Sequence, residues 1–381
     1  MTNRRSARVI GRLALALGLL LVCVPTAQAD SPGTQGSHAL SKLSDSAVGW
    51  VVGTPDGGYG TIIHTRDGGQ TWVRQGTASE IPNVPLNGVW AIDPNDVWVV
   101  GGNQGGYGVI LRSVDGGQTW TRQGSPAQIP DVGLSWISAV DNNTAWAVGS
   151  QGVILHTGDG GNTWTRQTGG TVPNILFQGV YAVDARTAWA CGDVSAGHGT
   201  LLRTTDGGNT WQRPSYTQLP AGRYLISVHA LDADTVWGVG NGRIVVHTAD
   251  AGSTWDNRSP VQPPDTYDAN GVVALNRATV WVVMDNGGIW RSDNGGTDWT
   301  PQESGQHGHH LVRVSALDSD NAWVTGVLAS AGTQLGVILH TRDGGDTWSS
   351  PQDTPVDVFW WGVSFVDGHF HRYLPLITKH Q

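Results

Sequence analysis

Six aspartates and one asparagine return at matched places along this chain, and they are the first groups to weigh for chemistry. The motif is Ser/Thr-x-Asp-Gly-Gly-x-Thr-Trp, with its third position at Asp67, Asp115, Asp159, Asp206, Asp250, Asn294 and Asp343. It closes on Trp72, Trp120, Trp164, Trp211, Trp255, Trp299 and Trp348. Carboxylates can ligate a hard cation or act as acid and base, but only where several converge on one point. One per repeat spreads them apart. The motif also has a folding use: paired glycines open backbone angles closed to other residues, and the Asp and the leading hydroxyl can bind backbone N–H groups. The expectation is that all seven motifs are spent on turns, with no metal, cofactor or catalytic residue among them.

Other groups are scattered over the segments between repeats. Tyr216, Arg223, Tyr224, Asp265, Tyr267 and Asp268 fall in longer connections, and Tyr59, Tyr107 and His198 in shorter ones. Tyr, Arg and Asp together suit recognition of a peptide or a sugar. His307, His309 and His310 resemble a metal tract without further ligands beside them. A sialidase-like site would need a Tyr–Glu pair, yet the chain has only Glu80 and Glu303, neither beside a Tyr on a strand. Other glycosidases need two carboxylates about 5–10 Å apart, and most aspartates here fall in the motif or in Val-Asp corners.

Arg74, Arg122, Arg166 and Arg213 each lie two residues past a motif Trp, where later repeats carry Asn257, Pro301 and Ser350. Alternation along a strand puts Arg and Trp on one face. Two readings follow: the arginines stack on the indoles and blunt a sheet edge, or they form a positive arc for an acidic partner.

The elements that carry these groups follow from the period. Motif tryptophans are 48, 44, 47, 44, 44 and 49 residues apart, the length of one four-stranded propeller blade. In the third repeat the pattern predicts strands at 136–140, 144–148, 152–157 and 163–167, with Gly, Asn or Asp at each corner. One such sheet cannot bury both faces, but seven packed radially can. A second set, Trp50, Trp98, Trp146, Trp189, Trp237, Trp281 and Trp323, marks the second strand of each unit and should pack between blades. The fold class is therefore all-β, a seven-bladed propeller of four-stranded antiparallel blades. Residues 39–43 match the first-strand pattern weakly, while 361–367 match it well without a motif after them. The C-terminal strand should complete the first blade or cap the last.

The motif is similar to the Asp-box (bacterial neuraminidase) repeat. The longer unit Thr-Ala-Trp-Ala-Val-Gly-x-x-Gly-Val-Ile-Leu-His-Thr-x-Asp-Gly-Gly-Asn-Thr-Trp more closely resembles the photosystem II stability and assembly factor family. The resemblance covers roughly residues 38–367. It implies an exported, non-enzymatic seven-bladed propeller that holds protein partners, with a photosynthetic role as an implication only. A secreted Asp-box glycoside hydrolase or a carbohydrate-binding propeller is the alternative.

Composition and the N-terminus bound the setting. Arg4, Arg5, Arg8 and Arg12, an apolar run from Leu13 to Val24 and Ala27-Gln28-Ala29 read as a secretory leader over 1–29. Bulky Val22 before Cys23 argues against lipidation. The expected division is leader 1–29, linker 30–37, propeller 38–367 and tail 368–381. Loss of four leader arginines takes the net charge from −9 to −13, a poor match to nucleic acid. Cys191, the one cysteine past the leader, should be a small buried hydrophobe. The expectation is an extracellular, periplasmic or cell-surface monomer with no transmembrane segment after cleavage.

Overall fold

A computed structural model describes residues 45–214, 221–261, 267–305, 309–330, 333–351, 354 and 357–368. The leader, the linker, residues 39–43, Tyr216, Asp265, His307 and most of the tail lie outside these residues.

Seven antiparallel sheets are arranged as a wheel. Blade two is typical. Its strands run outward from the axis as Leu86–Ala91, Val97–Asn103, Gly108–Ser113 and Thr121–Arg122. Blade three runs Leu134–Ala139, Ala145–Gly149, Ile154–Thr157 and Thr165–Arg166. Its fourth strand is shorter than the alternation predicts, because the turn motif holds the chain up to Trp164 and leaves two residues to pair. In blades four and seven the outer edge shrinks to single bridges, Arg203 with Gln212 and His340 with Ser349.

Blade one resolves the two readings of the C-terminal strand. Trp360–Val366 pairs antiparallel with Val48–Asp56 and becomes that blade's innermost strand. The ring shuts where Trp323 of blade seven donates Nε1–H to the carbonyl of Gly68 in blade one, at 2.9 Å. Trp323 also stacks on Phe365 at 3.8 Å.

The wheel is held by its second-strand tryptophans. All seven are fully buried, and several meet the motif Trp of the next blade edge-on, as Trp98 meets Trp164 at 5.8 Å and Trp281 meets Trp348 at 5.8 Å. The opposite face of each indole is covered by the third-strand residue paired with it. That residue is His64, His156, His247 or His340, with centroids 4.4–4.7 Å from the indole, or Arg112, Arg203 or Arg291, 4.5–5.4 Å above it. Histidine and arginine alternate here because both are flat groups that can lie on an indole face. Burial, foremost, pulls the pKa of His64 down to about 4 and of His340 to about 3.

The motifs are spent on turns. In blade three, Asp159 Oδ1 accepts the N–H of Thr163 at 2.8 Å and the hydroxyl of Thr157 at 2.9 Å, while Oδ2 accepts the Thr163 hydroxyl at 2.6 Å. The Thr157 hydroxyl oxygen accepts the N–H of Gly161. Equivalent bonds recur at Asp67, Asp115, Asp206, Asp250 and Asp343. Blade six reverses one bond. Asn294 Oδ1 still takes the N–H of residue 298, but its Nδ2 donates to the Asp298 carboxylate at 2.8 Å. The charge has moved four residues and the turn survives. In blade five Ala251 takes the second glycine-type position's neighbour, with φ of 59°.

Corner aspartates are also consumed: Asp93, Asp141, Asp184, Asp232 and Asp318 each accept two backbone N–H groups across their turn.

Candidate functional site

The axis of the wheel is lined by the seven innermost strands, and each carries an irregularity at the same place. The pairing with the second strand shifts between the first and third residues of the pattern in every blade, for example between Leu86 and Gly88 or between Leu311 and Arg313. A bulge leaves one residue out of the ladder and re-aims its side chain. Asn87, Ser135, Gln178, Ile226, Asn270, Val312 and Trp361 occupy that place and line a cavity of about 460 Å³. It opens on the face that carries the connections between blades and the hairpins joining second to third strands.

The layer below it is less uniform. Successive blades contribute Gly88, Trp136, Gly179, Ser227, Gly271, Arg313 and, from blade one, Gly362. The two large members belong to blades three and seven, across the axis from one another, and the Arg313 guanidinium lies 4.6 Å over the Trp136 ring. Glycine beside them is a packing need: a Cβ on Gly88 would stand 3.0 Å from the Trp136 ring. The pair divides the channel. Beyond it lies a second cavity of about 240 Å³, lined by Trp90, Tyr181, His229 and Phe365 among others.

Polar side chains stitch the inner strands together. Asn87 Nδ2 donates to the Leu134 carbonyl and Asn270 Nδ2 to that of Leu311. Ser364, Ser138 and Ser315 accept N–H groups of Ala91, Ala182 and Phe365.

A cluster of polar groups gathers at the cavity mouth. The Tyr224 hydroxyl donates to Asp268 Oδ2 at 2.8 Å, and Asp268 Oδ1 accepts from Asn241 Nδ2 and the Gly242 N–H, both at 2.8 Å. The Asp268 N–H donates to Asp285 Oδ1 at 2.9 Å. Asp285 and His310 line the cavity. Burial, then the Asp268 charge, raises the Asp285 pKa, while the Asp268 N–H bond and nearby His310 oppose the rise. Burial and the Asp268 bond push the Tyr224 phenol up to about 12. Two carboxylates thus lie side by side on the loop-rich face. Both oxygens of Asp268 accept hydrogen bonds, and of the two residues it is Asp285 that lines the cavity. Arg223 packs over Gly242, where a Cβ would stand 1.7 Å from Nη1. Tyr267 is exposed beside Asp268.

Of the four arginines past the motif, Arg74 and Arg122 lie over tyrosine rings rather than indoles. Arg74 lies over the Tyr59 ring at 4.1 Å, bonds the carbonyl of Asp56 and pairs with its carboxylate. Arg122 lies over Tyr107 at 3.7 Å and donates to the carbonyls of Gln104 and Tyr107. Arg166 reaches the Gln151 carbonyl and Arg213 that of Ser195. Alternation speaks only to the side of the sheet. It does not say where so long a side chain ends, and the nearest unfilled acceptors are the carbonyls at the tip of the blade's own second hairpin. Tyr59 and Tyr107 are tied into the same latch. Cys191 is buried, its thiol pushed up to about 12 by burial.

Arg313, Trp136, Asp285 and the bulge residues were not singled out by sequence reasoning. Aligning the repeats on the motif Trp would have exposed them, since Trp136 and Arg313 stand where most repeats have glycine.

The family model for photosynthesis system II assembly factor YCF48 matches residues 86–171 and 180–315. No curated protein matches the chain significantly. Among solved structures, YCF48 bound to a D1 peptide shares 20% identity with a TM-score of 0.60, covering 82% of this chain and 92% of that one. YCF48 from Cyanidioschyzon merolae shares 21% at a TM-score of 0.57, covering 80% and 93%. A streptogramin B lyase shares 13% at 0.51, covering 74% and 91%, so the wheel alone does not separate binders from enzymes. With the family model spanning six consecutive inner strands of the wheel, this chain belongs to the photosynthesis system II assembly factor YCF48 family.

Proposed function

We propose that this protein is an exported, non-enzymatic propeller that holds a protein partner on its loop-rich face, as an assembly scaffold. What supports this is the contrast in that face: the motif and corner carboxylates are consumed by turns, while the mouth keeps a cavity with apolar and amide walls. Trp361, Ile226 and Val312 offer buried contact area, and a relative of the same family was solved holding a peptide. Aromatic groups in such pockets carry most of an interface's energy. The leader-like pattern read in residues 1–29 supports a location outside the cytoplasm, and on this reading N-terminal sequencing of the mature protein should begin at Asp30.

The test is capture of a partner from the native envelope by wild type and by Trp361→Ala. Loss of about tenfold in affinity with an intact fold supports the reading; equal capture removes this face from it. The glycosidase alternative is favoured by one observation, the Asp268–Asp285 pair. A panel of chromogenic glycosides decides it: no turnover is expected, and turnover abolished by Asp285→Asn would replace the scaffold reading.

A further inference from the structure

Arg313 is a cation without a counterion. It joins no ion pair among the described residues. Its Nη1 donates to the carbonyls of Asn270 and Val312, at 2.9 and 3.0 Å. A guanidinium has five N–H donors, so those on Nε and Nη2 have no protein acceptor. Neither nitrogen is sealed away from the cavities, and Arg313 lines both of them. Its ring face rests on Trp136. This leaves the donor edge as the available side, and that edge matches the two oxygens of a carboxylate.

We propose that the channel centre is a carboxylate-binding site, with Arg313 as its cation, Trp136 as the platform that orients it, and the larger cavity as the way in.

Three further observations agree. Loss of hydration lowers the Arg313 pKa to about 10, so the charge persists at neutral pH without compensation. The neighbouring titratable group that it senses is Cys191, which stays a neutral thiol. Asp285 lines the same cavity, but its coupling is to Asp268 and His310. A lone buried charge destabilises the fold unless something satisfies it, and a carboxylate entering from the cavity would do so. Asn87 and Asn270 spend their Nδ2 groups on carbonyls, which leaves their oxygens as acceptors for N–H groups of a ligand. The site stands whether or not a protein docks on the face above.

The experiment is calorimetric titration of the purified protein with acetate, with a short peptide free acid, and with the same peptide as its C-terminal amide carrying one glutamate. Sodium chloride at equal ionic strength is the control. Saturable binding of at least one carboxylate is expected. Arg313→Gln should weaken it by about tenfold or more, and Arg313→Lys by less. Ser227→Asp, in the same layer, would supply an internal counterion and abolish binding, which keeps the test decisive should Arg313→Gln misfold. Acetate binding as tightly as the peptides identifies a free acid as the ligand. Preference for the peptide free acid identifies a chain end, and preference for the amide a side chain. No saturable binding by any of the three, an equal response to chloride, or binding unchanged in folded Arg313→Gln overturns the proposal.

Discussion

The belt of turn motifs and the layer around the channel are built from the same seven repeats and have opposite characters. In the belt each blade repeats the same bonds, and where the residues change, as at Asn294 and Asp298, donor and acceptor exchange so that the bond is kept. In the channel layer the blades differ: small residues in five, and a tryptophan and an arginine in two. Repetition preserves what every blade needs to fold. Departure from it marks what the molecule needs only once, and in this wheel that lies on the axis.

The comparison can be broken most severely at its seam. Ending the chain before Trp360 removes the innermost strand of blade one and opens an edge on both neighbours; insoluble protein is expected, and a soluble product with a native far-UV spectrum would show that the ring does not depend on this closure. Next in size is Trp98→Ala. It empties a fully buried place between blades two and three and should cost about 3–5 kcal/mol in denaturant unfolding. Asn294→Asp should come next. It sets two carboxylates against each other in the blade six turn, at about 1 kcal/mol. Adding Asp298→Thr restores the usual motif and should recover the loss, a coupling that a double-mutant cycle reads directly. If the double variant is no better than the single, the motif is less interchangeable than its bonds imply.

Acid should have the mildest effect per step. In the folded state burial holds His64, His229 and His340 near pKa 4 or below, and lowers His156 and His247. The unfolded chain takes up those protons from about pH 6.5 downward. Unfolding therefore gains protons as pH falls, and the melting temperature should decline from about pH 6.5 to about 4. Below that the motif carboxylates add to the loss. Asp250, held down to about 2 by the Thr254 hydroxyl and then its N–H, contributes stability above the unfolded value that disappears as pH falls through the folded one. His156→Gln should flatten the upper part of the curve; an unchanged slope would mean that the indole-stacked imidazoles do not titrate with unfolding.

Much of the wheel was legible in the chain. The Asp-Gly-Gly turns, the tryptophans between blades and the corner aspartates each rest on bonds made within a few residues or within one period. The alternation of His and Arg on the third strands can be read off the repeats, but not its use as a cover for an indole. What escaped has a common cause. The latch formed by Arg74 or Arg122 depends on where a long flexible side chain ends. The Trp136–Arg313 stack and the Asp268–Asp285 contact depend on which blades face each other across or along the axis. Those distances are set by closure of the ring, and no local pattern encodes them.

That closure also sets an order of events in synthesis. Blade one receives its middle strands near the beginning of the chain and its innermost strand at the end. Six blades have all their strands in sequence, but the first must wait, one side uncovered, until residues 360–366 have been made. The strand that completes the wheel is a single short one beside the axis, and a product that stops before Trp360 carries a wheel that cannot shut.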